Sequence, residues 1–91
     1  MDRNIPTNQK LLTIVRDRNT IFFHGEVKAI SSINDKGPFD ILPQHANFIS
    51  IIKKYVVLRI QEKQEKRIEL ESGILKVRNN NVEIYLGILQ R

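Results

Sequence analysis

Apolar residues along the chain fall in short bursts of four to eight, each closed by a polar or turn-forming stretch. The bursts are "LLTIV" (11–15), "TIFF" (20–23), "EVKAISSI" (26–33), "FDIL" (39–42), "FISII" (48–52), "YVVLRI" (55–60), "RIELE" (67–71), "ILKVR" (74–78) and "VEIYL" (82–86). They are rich in Ile, Val, Phe and Tyr, which suit a pleated, half-buried surface. Alternation is clearest in "VEIYL", where Val82, Ile84 and Leu86 share one face and Glu83 and Tyr85 the other; Ile68 and Leu70 alternate in the same way. The stretch 46–60 could be read as a helix, but its density of β-branched side chains argues against that, because they lose χ1 freedom in helices.

Turn chemistry separates the bursts. "RDRN" (16–19) and "NDKGP" (34–38) are turn sequences, and "RNNN" (78–81) offers three Asn, which tolerate positive φ. Ser72-Gly73 reads as a break between two strands, and Gly25 as a tight strand turn or bulge. Regularly spaced short strands predict an all-β fold, a small β-sandwich of two packed, mostly antiparallel sheets. Residues 1–10 carry no core face and read as a flexible lead-in, leaving 11–91 as one domain.

Composition narrows the chemistry. The chain has no cysteine and two histidines, so thiolate chemistry, disulfides and Cys-ligated metals are excluded, and no carboxylate spacing suggests a metal site. No phosphate-binding glycine loop, HExxH or nucleophile elbow is present. His24 reads as a surface or strand-end histidine. No catalytic residue and no cofactor is expected, so the chain is not an enzyme by itself. The N-terminus lacks the apolar core of a signal peptide, which makes the cytoplasm the default compartment. The net charge of +5 is concentrated between residues 53 and 67, where Lys53, Lys54, Arg59, Lys63, Lys66 and Arg67 face only Glu62 and Glu65. A basic β-sandwich binding nucleic acid or another polyanion is therefore one functional class. No aromatic residue is interleaved from Val56 to Arg67 to stack bases, so a solvated hairpin tip is the simpler reading.

The stretch "GPFDILPQHANF" (37–48) has neither helical stripe nor clean alternation, yet holds two prolines, a histidine and several large apolar side chains. Proline fixes φ and cannot donate to a ladder, so Pro38 and Pro43 belong at edges and corners. The stretch is similar to the "GEFGILPGHAP" signature of the epsilon subunit of F-type ATP synthases, the family called delta in mitochondria. The segment 22–37 before it and 70–86 after it resemble the family in order and spacing, so the likeness runs from Leu11 to Leu86. Four positions depart: Pro38 stands for the family's Glu, Asp40 and Gln44 for glycines, and Asn47 for the second Pro. Asp can visit left-handed backbone; Gln does so less readily.

The resemblance implies a central-stalk rotor subunit that docks gamma onto the c-ring and helps couple proton or sodium flow to ATP synthesis, with catalysis on other subunits. It implies a peripheral position on the cytoplasmic side of the inner membrane, held there only through the complex, with gamma and the c-ring as partners and nucleic acid not expected. On matched positions it implies a c-ring end at Pro38, Asp40, Pro43, Gln44 and His45, and a gamma face that includes Ser72, Gly73, Ile74 and Leu75. The five residues after Leu86 are too few for the family's C-terminal helical hairpin, so the sandwich is expected without it. The stalk reading further predicts an apolar patch left uncovered on one sheet face.

Overall fold

The computed structural model describes residues 10–87; all but Lys10 of the lead-in expected at 1–10 lies outside the described residues. Among these, every regular element is a strand: β1 (Leu11–Arg16), β2 (Ile21–Val27), β3 (Ala29–Asn34), β4 (Gly37–Ile41), β5 (Phe48–Gln61), β6 (Gln64–Arg78) and β7 (Asn81–Leu86). The all-β expectation holds, with one difference in how the layers are made. A single hydrogen-bonded sheet runs in the order β2-β1-β7-β6-β5-β3-β4, and the long β5–β6 ribbon serves both halves. One half joins β2, β1 and β7 to the Gly73–Arg78 part of β6; the other joins β4 and β3 to the Val56–Arg59 part of β5. All pairings are antiparallel except β1 with β7.

The ribbon passes between the halves at a register shift between Lys53 and Lys54, where Lys54 adopts φ 75°. A bulge adds local twist and lets one strand turn from one layer into the next. The sequence pattern registers this bend as a gap: "FISII" and "YVVLRI" read as two runs but form one strand. Likewise Ser72-Gly73 does not break the chain. Both residues lie inside β6, and Gly73 pairs with Leu86. A Cβ built on Gly73 would stand 2.5 Å from the Tyr85 carbonyl oxygen, so glycine is required there by close approach of β7. Gly25 is neither a turn nor a bulge. It lies within β2 opposite Thr13, with the Phe23 ring 3.4 Å from where a side chain would begin.

The inward faces of both halves close over one core of Leu11, Val15, Val27, Ile30, Ile41, Ile52, Val56, Leu58, Leu75, Val77, Val82 and Ile84. Burying each of these side chains contributes about 1.5–3 kcal/mol before chain entropy is subtracted. Thr13 and Ser32 are the polar residues buried with them, and both are satisfied: Thr13 Oγ1 donates to the Leu11 carbonyl (3.1 Å) and Ser32 Oγ to that of Tyr55 (2.7 Å).

Candidate functional site

The "ILPQHANF" stretch forms a corner between β4 and β5. The His45 N–H donates to the Leu42 carbonyl at 3.1 Å, closing a turn through Pro43 and Gln44. Gln44 sits at φ 72°, the left-handed conformation for which the family uses glycine. Its N–H is not left to solvent, because it donates to Asn80 Oδ1 at 2.7 Å. Asn80 belongs to the β6–β7 turn, where Asn79 (φ 51°) and Asn80 (φ 63°) are consecutive left-handed residues between the paired Arg78 and Asn81. That is the geometry of a two-residue hairpin turn, and it accounts for the asparagine run. The Asn80 carbonyl also accepts from Leu12 N–H at 2.9 Å, so three segments converge on this residue.

His45 is half-buried in the corner. Its ring meets Phe48 edge-on at 5.5 Å, and Phe48 in turn meets Phe39 at 5.5 Å. Nδ1 lies 2.7 Å from the Ala46 carbonyl, which can only accept, so the proton of the neutral ring sits on Nδ1. Pro43, Gln44 and His45 are thus brought together. Pro38 and Asp40 lie instead on β4, an edge strand leading to the corner. Asp40 is extended rather than left-handed, pairs with Ser31 and accepts from Ser31 Oγ at 2.6 Å. Asn79, Asn80 and the exposed Leu42 join the corner; the "RNNN" run marked the turn but not its neighbour.

The two outer faces differ in character. In the half built on β1 and β7, the register aligns Ile51, Ile74, Tyr85, Arg16 and Ile21 across five strands, and beside that row Ile49, Lys76, Glu83, Ile14 and His24. Ile49 is 66% exposed, Ile51 57%, Ile21 53% and Tyr85 40%. Arg16 lies over the Tyr85 ring at 5.9 Å, and Lys76 stands 4.0 Å from Glu83. The other half turns polar groups outward: Asp40 with Ser31, Arg67 with Glu69, and Arg59 with Glu65.

Of the four residues expected on the gamma face, Ile74 and, by alternation, Ser72 share the outer side of β6, while Gly73 and Leu75 face inward. Leu75 is fully buried, Gly73 is buried against β7, and the Ser72 carbonyl accepts from Gly87 N–H at 2.9 Å. Side-chain alternation inside one continuous strand is the reason: neighbours 74 and 75 must face opposite ways. The residues missed were Ile51, Tyr85 and Ile21 in one row and Ile49 in the next, an arrangement that becomes visible only with the cross-strand register. His24 is exposed within β2 rather than at a strand end. Among the described residues, no group of three His, Cys, Asp or Glu is placed to hold a metal ion.

Residues 11–87 match the profile of the ATP synthase delta/epsilon chain, beta-sandwich domain. The chain belongs to this family. The ATP synthase epsilon chain of Clostridium novyi (strain NT) is 38% identical over 65 residues, covering 70% of this chain and 50% of the relative. That of a Nitratiruptor species is 28% identical over 61 residues, covering 66% and 47%. The chain spans about half the length of the curated relatives it matches. Two solved structures share the fold. One is the Euglena gracilis mitochondrial ATP synthase, OSCP/F1/c-ring in rotational state 1, with TM-score 0.79 and 16% identity over 94% of this chain and 54% of that one. The other is the Tetrahymena thermophila mitochondrial ATP synthase, central stalk/c-ring, with TM-score 0.72 and 13% identity over 86% and 63%. The delta/epsilon sandwich is thus present with its signature corner, glycine replaced by Gln44.

Proposed function

We propose that this chain is a central-stalk rotor subunit of an F-type ATP synthase, docking gamma onto the c-ring and helping couple proton or sodium flow to ATP synthesis. It is non-catalytic by itself and associates with the membrane through the complex, on its cytoplasmic side. The observation that carries the reading is the asymmetry of the outer faces. A small domain that leaves Ile49, Ile51, Ile21 and Tyr85 open on one side, around a single Lys76–Glu83 pair, and turns three polar or charged pairs outward on the other, has one side suited to a protein partner. Gamma is assigned to that apolar face, with Ile74 within it. The c-ring is assigned to the corner of Pro43, Gln44 and His45, whose rigid turn offers backbone and imidazole groups to polar loops.

The polyanion reading is weakened by pairing. Lys53 binds Asp35 at 3.1 Å, and Arg59 and Arg67 bind Glu65 and Glu69. Half of the six cations that gave the 53–67 segment its charge are thereby locally compensated.

The chain has no cysteine of its own, so a single introduced thiol reports one position. In the assembled complex, His45→Cys is expected to cross-link to c-ring loops and Arg67→Cys is not. Cross-linking from position 67 alone would refute the assignment of the corner.

A further inference from the structure

The end of the fold that carries the corner also carries the tip of the β5–β6 ribbon. Leu12 N–H and Gln44 N–H both reach Asn80, and the Lys28 N–H donates to the Arg59 carbonyl at 2.7 Å, which ties the β2–β3 link to the ribbon. Ile41, where the corner begins, is aligned through Ile30 with Leu58, two strands and about 10 Å away. The ribbon beyond Arg59, turning between the paired Gln61 and Gln64, therefore projects from the same end as Gln44 and His45. Charge is unevenly spread over the surface. Away from this end Lys53, Arg67 and Lys76 have carboxylate partners and Arg16 lies over Tyr85, which leaves Arg18, Lys36 and Lys54 scattered. At this end Lys10, Lys28, Lys63, Lys66 and Arg78 are exposed, and no described carboxylate lies within ion-pair distance of any of them. Among the described residues, Glu26 and Glu62 are the carboxylates left to offset them, since Glu65 is held by Arg59 and Asp40 accepts from Ser31. Lys10 and Lys28 are the next positions past the paired Leu11 and Val27, so two like charges stand on neighbouring strands, an arrangement that disfavours the free chain.

We infer that this end is an electrostatic docking surface for the c-ring, in which the ribbon tip joins the corner and the c-ring loops that meet it carry carboxylates. Complementary charge steers and orients such a contact. The cations are spread across the β1–β2 end, the β6–β7 turn and the ribbon tip rather than converging on one pocket. Their complement is a set of separate negative charges on several loops, not a single phosphate. Lys63 and Lys66 are thereby given a role that the pairing of Lys53, Arg59 and Arg67 denies to those residues. This rests on the stalk reading and specifies the chemistry of one partner. It also separates the two contacts physically: the apolar face holds gamma with little response to salt, and the basic end holds the c-ring with a large one.

The complex of this chain with the gamma subunit of the same genome, titrated with c-rings of that genome in nonionic detergent, tests it. The Kd for c-rings is expected to rise about tenfold or more between roughly 0.05 and 0.3 M salt. The double variant Lys63→Glu, Lys66→Glu is expected to weaken c-ring binding roughly tenfold or more, and Lys63→Gln, Lys66→Gln to weaken it less. Gamma binding is expected to stay unchanged in both, which shows that the variants are folded. The control Arg18→Glu, Lys36→Glu alters net charge by the same amount in the turns at the other ends of β1 and β3, and is expected to change c-ring binding by less than about threefold. Equal losses in the two charge-reversed pairs would reduce the effect to net charge and overturn the tip contact. C-ring binding unchanged in the Lys63, Lys66 variants would overturn it and leave the stalk reading standing. Binding of the complex to phosphatidylglycerol vesicles, with none to c-rings in detergent, would assign the cations to lipid headgroups and overturn the carboxylate partner. Failure of the chain to bind gamma at all would overturn the stalk reading together with this inference.

Discussion

Gln44 and Asn80, 36 positions apart in sequence, are joined by a 2.7 Å hydrogen bond from the Gln44 N–H to the Asn80 side-chain oxygen. The bond ties the proline-flanked corner to the β6–β7 turn and fixes the corner's shape from outside it. Two left-handed backbones, at Gln44 and Asn80, therefore hold each other in place.

Asn80→Ala removes the acceptor and places a residue intolerant of φ 63° in the turn. The lost bond and the backbone penalty together are expected to cost about 2–3 kcal/mol. Asn80→Gly keeps the turn and removes the Gln44 bond, and a smaller loss of about 1 kcal/mol is expected. Denaturant midpoints of the two variants check the difference.

Gln44→Gly restores the family's residue at φ 72°. Relief of left-handed strain outweighs the added chain entropy, and a gain of roughly 0.5 kcal/mol is expected. Thermal unfolding checks it as a small rise in Tm; an unchanged or lowered Tm would mean that the corner carries no strain.

Gly73→Ala brings a methyl group against the Tyr85 carbonyl, a 2.5 Å approach that neither backbone can relieve without moving β7. A loss of about 2–4 kcal/mol is expected. Denaturation of the purified variant checks it, with the largest chemical-shift changes expected along β6 and β7.

Ile74 and Leu75 are adjacent and should behave oppositely. Leu75→Ala opens a cavity in the core and is expected to cost about 2–4 kcal/mol of stability. Ile74→Lys changes stability by less than about 1 kcal/mol but weakens gamma binding roughly tenfold or more. Unfolding and binding measured on the same preparations separate core from contact.

Much of the fold was legible in the sequence because alternation reports burial directly. Val82 and Ile84 are buried and Glu83 and Tyr85 point out, as "VEIYL" implies. Strand continuity was not legible. A bulge at Lys53/Lys54 and a glycine at position 73 look like interruptions in a linear pattern, while in space the chain stays paired through both. The corner was legible as a stiff turn because proline restricts φ wherever it stands. Its dependence on Asn80 was not, because no local pattern encodes a contact across 36 positions. The row of Ile51, Ile74, Tyr85 and Ile21, joined through Arg16, was hidden for a related reason: each strand contributes one residue, and only the register lines them up.

The most direct test of the stalk assignment is the salt dependence of the affinity between this chain and the gamma subunit of the same genome. An interface carried by Ile49, Ile51, Ile74 and Tyr85 is expected to form one to one, with a Kd that changes by less than about tenfold between roughly 0.05 and 0.5 M salt. No association at low salt, together with retention on DNA that falls steeply as salt rises, would contradict it and make the basic ribbon the working surface.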